Sequence, residues 1–115
     1  MTITAFASVG LSHGENKPGP HGGFIKMPGA FHTEVVPVSK TQVQVFLLDM
    51  DWKNPITDKS SVTANGMICK PKDTTFICDL GKKANIEKKG KLEIKATRLE
   101  QKGNSAIYEL PLNRH

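Results

Sequence analysis

The chain has 115 residues, enough for one domain that buries roughly two-thirds of its unfolded surface. No apolar run approaches the ~20 residues of a membrane-spanning helix, so no transmembrane segment is expected. The net charge of +5 admits nucleic acid or an anionic surface as partner, but residues 82–102, where eight Lys or Arg face three Asp or Glu, lack interleaved aromatics. Nucleic acid is therefore not the expected partner, and these lysines read as the solvent side of a strand and loop.

Residues 1–19 read as a flexible N-terminal arm or the remnant of a leader. Ala5-Phe6-Ala7 before Ser8 has the small-x-small form of a signal peptidase site, which points to a periplasmic or secreted protein. A single domain is expected over residues 20–115. It opens with Pro20-His21-Gly22-Gly23 and two short strands, 24–27 and 31–38, joined at Pro28-Gly29. Pro presets φ and Gly supplies φ > 0, as a type II turn requires. That turn would set His32 opposite Ile25 and His21 opposite Val36. Along the second strand His32, Glu34 and Val36 share one face and Phe31, Thr33 and Val35 the other. Neither face is purely apolar, which marks a bulge or a functional surface.

Residues 41–50 alternate strongly through Val43, Val45 and Leu47, then turn apolar on both faces from Phe46, as a central strand does. A turn at Asp51-Trp52-Lys53-Asn54-Pro55 follows. Residues 60–64 make a strand ended by the tight-turn pair Asn65-Gly66. Residues 67–70 and 74–80 form a hairpin with Asp73-Thr74 at its tip, which sets Cys69 against Cys78 and Met67 against Leu80. These residues and Phe76 are assigned to the core face. Directly opposed Cβ atoms lie close to disulfide distance, so Cys69–Cys78 reads as a disulfide, with two buried free thiols as the alternative. A basic loop over 81–90, with one helical turn, precedes strands 91–99 and 105–112. Arg98 interrupts the first of them, and Ala106, Tyr108, Leu110 and Leu112 face inward in the second. The sum is an all-β fold, an immunoglobulin-like β-sandwich of seven to eight antiparallel strands.

No nucleophile elbow, zinc-protease helix, phosphate loop or dinucleotide fingerprint occurs, so the chain reads as non-enzymatic. Two metal geometries stand out. Imidazole and carboxylate at His21, His32 and Glu34, with Asp49 and Asp51 nearby in sequence, suit zinc or copper. The simple hairpin register separates the two histidines by about 13 Å, so one site requires the segment around Pro20 and Gly23 to leave the ladder and curl back. The second geometry joins His32 to the thioethers of Met27, Met50 and Met67 for Cu(I), with Trp52 covering the ion. The bland readings are a loop histidine, a satisfied strand histidine, core-filling methionines and a turn tryptophan.

Pro20-His21-Gly22-Gly23, then Phe31-His32-Thr33-Glu34-Val35, then Val43-Gln44-Val45-Phe46-Leu47-Leu48-Asp49-Met50-Asp51 and Asn54-Pro55-Ile56 together resemble a family of small exported β-domains. Its members stand alone or beside heavy-metal efflux adaptors. The likeness covers about a third of the chain, and Trp52-Lys53-Asn54 stands where the family carries Gly-Lys. It implies a periplasmic immunoglobulin-like sandwich that handles copper or zinc, with His21, His32 and Glu34 as ligands and a membrane efflux adaptor or other exported protein as partner. A non-metal protein–protein interaction module is the alternative.

Overall fold

The computed structural model describes residues 18–112; the leader-like stretch lies outside the described residues. The described residues form ten strands: β1 (Phe24–Lys26), β2 (His32–Ser39), β3 (Gln42–Leu48), β4 (Ser61–Ala64), β5 (Met67–Ile68), β6 (Lys70–Lys72), β7 (Thr75–Asp79), β8 (Gly90–Arg98), β9 (Gln101–Lys102) and β10 (Ala106–Leu110). They build two antiparallel sheets, one ordered β1-β2-β3-β7-β6, the other β10-β8-β4-β5 with β9 added to β8. The protein is an all-β sandwich. The excess over seven or eight strands comes from β9, a two-residue return, and from one extended run that changes sheets at Cys69 and so counts as both β5 and β6.

The core lies between the sheets, where period-2 alternation delivers Val35, Val43, Val45, Leu47, Val62, Leu92, Ile94, Ala96 and Tyr108 to one buried cluster. Tyr108 of β10 spans it: its hydroxyl donates to the Thr33 carbonyl at 3.1 Å and lies 2.8 Å from Thr33 Oγ1. That pairing satisfies a buried hydroxyl and ties the two sheets together.

Three local expectations are met. Asn65 and Gly66 both take positive φ, as a two-residue hairpin turn demands. The β6–β7 register, Lys70 with Ile77 and Lys72 with Thr75, extends to place Cys69 against Cys78, which are joined in a disulfide with Cα atoms 4.4 Å apart. Residue Cys69 also donates its N–H to Val62 of the other sheet. The crosslink therefore sits where the chain passes between layers.

Others are corrected. The β1–β2 connection spans five residues, not a two-residue Pro28-Gly29 turn, and Gly29 takes no positive φ. The loop is long because it is pinned to the far sheet: Asn104 N–H donates to the Pro28 carbonyl at 3.0 Å, and Phe31 dives into the core. Register consequently shifts by two, with Ile25 opposite Glu34 rather than His32. Met67 is exposed rather than in the core, because β5 has already left the cysteine hairpin to pair with β4. Arg98 points inward and keeps the alternation of β8, and the strand ends there because Leu99 and Glu100 both turn left-handed. No helical turn occurs in the described basic loop.

Candidate functional site

The outer face of the first sheet carries the chemistry. Ile25, His32, Glu34, Phe46 and Leu48 are all buried there, although they point away from the main core. Register explains the grouping: Glu34 sits between Ile25 and Phe46, and His32 is opposite Leu48. Two loops cover this face, one before β1 and one after β3.

The first loop is the Pro-His-Gly-Gly stretch. Gly22 N–H donates to the Gly19 carbonyl at 2.9 Å and Gly19 N–H to the Gly23 carbonyl at 3.0 Å, closing a turn with Pro20 at its second position. Gly22 supplies the left-handed φ of 77°. Gly23 runs so close to β2 that a Cβ would sit 2.6 Å from the Val35 carbonyl oxygen. The segment does leave the ladder and curl back, and it closes over Glu34, which has no exposed surface. Oε2 of Glu34 accepts from the N–H of His21 and of Gly23, each at 2.8 Å, and Oε1 lies 2.7 Å from His21 Nδ1. An ionised carboxylate only accepts, so Nδ1 is the donor. The imidazole then lies flat on Phe46, centroids 3.7 Å apart and planes within 3°.

The second loop is organised by Asp49. Its Oδ1 accepts from Asp51 and Lys53 N–H at 2.9 Å and its Oδ2 from Asn54 Nδ2 at 2.7 Å. These bonds, that to Lys53 first, hold the Asp49 carboxyl below its ordinary pKa because they favour the charged form. Buried Arg98 secures the loop from below, donating from Nε to Leu47 O and from Nη2 to Asn54 O. Within the loop Trp52 is left-handed at φ 67°, which sets its indole on His32, centroids 4.1 Å apart and planes 23° from parallel. His32 Nδ1 lies 3.1 Å from the Asp49 carbonyl, which can only accept, so this ring also donates from Nδ1.

The structure thus places His21, Glu34 and His32 on one face, with Glu34 two residues from His32 along β2. It joins His21 to Glu34 directly and His32 to Trp52. Among the described residues, no three His, Cys, Asp or Glu side chains are grouped so as to hold a metal ion, and both oxygens of Glu34 are already occupied. Met27 and Met50 are more than or about half exposed, at 56% and 50%. Met67 belongs to the other sheet. Sequence reasoning missed Phe46 as the platform for His21 and Arg98 as the anchor of the Asp49 loop. The signals were a basic residue at an inward position of β8 and an aromatic on the polar side of β3. Comparison with family models, with curated proteins and with solved structures returns no match for this chain.

Proposed function

We propose that this domain is an exported, non-catalytic carrier of a transition-metal ion, copper or zinc, or an accessory to its efflux. One observation carries the reading: both imidazoles are held through Nδ1 by fixed acceptors, a carboxylate and a backbone carbonyl. Neither Nε2 has a protein partner among the described residues. Metal-binding histidines are oriented in this way, the second nitrogen fixing tautomer and ring direction. The disulfide supports an oxidising compartment, and the resemblance of the His-Gly-Gly and His-x-Glu-Val stretches supports a partner in metal efflux. Among the described residues, no helix is long and apolar enough to cross a membrane.

The test is an NMR titration of the full chain with Zn²⁺, Cu²⁺ and Ag⁺, at pH 8 and pH 5. Expected are selective changes at the His21 or His32 rings and weaker binding at pH 5, because protonation removes the Nε2 lone pair. Silence from every ion, or affinity indifferent to pH, overturns histidine ligation. A second reading, an immunoglobulin-like module that binds another protein without metal, is favoured by Ile68, 83% exposed on the edge strand β5. It predicts a protein partner lost on Ile68→Lys in metal-free protein.

A further inference from the structure

We propose that the outer face of the second sheet binds a phosphorylated sugar, at a site independent of the metal-binding reading. The site is an open pocket of about 460 Å³, within the size range of small-ligand clefts, over β4, β8 and the return strand β9. Strand alternation builds it: Val62, Ala64, Ile94 and Ala96 are buried in the core, so Ser61, Thr63, Lys95 and Thr97 stand on the opposite face. Register groups them across the sheet. Ser61, Thr97 and Lys102 form one row, and Thr63 and Lys95 form the next. Asn104 and Ser105, from the segment before β10, close the pocket.

The lining decides which ligand. Lys95 of β8 and Lys102 of β9 both line the pocket, and among the described residues no carboxylate does. Glu93 and Glu109, acids of the same face, lie toward the start of β8, where Lys91 is opposite Glu109. The two lysines are diagonal neighbours, roughly 7–8 Å apart along adjacent strands, a span their long side chains close. A phosphate monoester, with close to two negative charges, matches two such ammonium groups. Four hydroxyls and the Asn104 carboxamide add both donors and acceptors, the complement of sugar hydroxyls. Among the described residues no aromatic ring lines the pocket, so a neutral sugar has no stacking platform and the charge carries recognition. The wall is also preorganised. Gly103 N–H donates to the Ala96 carbonyl and Asn104 N–H to the Pro28 carbonyl, each at 3.0 Å, and a Cβ at Gly103 would sit 2.8 Å from the Phe31 ring. Leu99 and Glu100 both turn left-handed to fold β9 back on β8, and that return sets Lys102 beside Thr97. Backbone held in so rarely adopted a conformation clusters at functional sites.

The test is an NMR titration of the full chain, with chelator present and at pH 8, using a hexose 6-phosphate, the same hexose without phosphate, and inorganic phosphate. Expected is saturable binding of the hexose phosphate that moves amide signals of β4, β8 and β9, leaves the His21 and His32 rings in place, and weakens as salt is raised. Inorganic phosphate should bind the same residues more weakly, and the bare hexose not at all. Lys95→Gln and Lys102→Gln, both at exposed positions, should each weaken hexose phosphate binding about fivefold or more without changing the melting temperature. Lys70→Gln, outside the pocket, should leave it unchanged. Equal losses in all three variants would show a general effect of surface charge and overturn the site, as would unaltered affinity in both pocket variants. Binding of inorganic phosphate as tight as that of the hexose phosphate would overturn the sugar assignment. Because chelator is present, each outcome is independent of whether the histidines bind metal.

Discussion

His21 Nδ1 and Glu34 Oε1 lie 2.7 Å apart, thirteen residues distant in sequence, and the carboxylate involved is wholly buried. This contact explains why glycines and a proline surround His21: the turn must bring two backbone N–H groups and one ring N–H onto a single carboxylate. Removing that acceptor leaves the donors stranded. Glu34→Ala is expected to destabilise the fold by about 3 kcal/mol, and Glu34→Gln, which keeps the shape and one acceptor, by less. Urea denaturation at constant m-value measures both. A Glu34→Ala midpoint matching the parent would show that the clasp contributes nothing to stability.

Much of this was legible in the sequence where the signal is local. Alternation in β3, β8 and β10, the Asn65-Gly66 turn and the opposition of Cys69 to Cys78 follow from period 2 and short turns. The β1–β2 register did not follow, because the Pro28 carbonyl is held by Asn104, a contact no local pattern announces. The error was an even number of residues, so the faces survived it: His32 and Glu34 still share a side with Ile25. Met67 was misassigned because a change of sheet at Cys69 leaves no mark on alternation. The stack of Trp52 on His32 was hidden for a related reason, since it depends on left-handed backbone at Trp52 and Asn54.

That left-handed tryptophan gives an ordering of mutants. A bulky residue at φ 67° carries about 1–2 kcal/mol of strain, while the stack with His32 contributes about 0.5–1.5 kcal/mol. Trp52→Gly loses the stack and the strain together, so its stability should stay within about 1 kcal/mol of the parent. Trp52→Ala keeps the strain and loses the stack, so it should be the less stable of the two. Thermal melts of both variants decide the matter, and the reverse order would show that the backbone at this position is not strained.

The Cys69–Cys78 crosslink closes a short loop, with nine residues of sequence separation, at the point where the chain changes sheets. Constraint of the unfolded chain by so small a loop contributes roughly 2–3 kcal/mol. Reduction, or replacement of both cysteines by alanine, should lower stability by that amount and loosen β5 and β6 before the rest. Hydrogen exchange resolved by residue tests the second half of the statement. Uniform loss of protection across both sheets would contradict it.

Asp49 links pH to the second loop. Its carboxyl titrates below the ordinary value of 3.8 because Lys53 and Asp51 N–H and the Asn54 amide all donate to the charged form. A depressed carboxyl contributes stability that is present above its unfolded pKa and is lost as pH falls through the folded one. The loop should therefore hold at pH 5 and open only below pH 3.8. Because the same residue's carbonyl fixes His32 and its loop carries Trp52, the opening should appear as a change in tryptophan fluorescence and in the His32 ring signals. Asp49→Asn keeps the shape, cannot titrate, and should abolish the acid step while weakening the loop at neutral pH. An acid transition in Trp52 fluorescence that persists unchanged in that variant would assign it to another group.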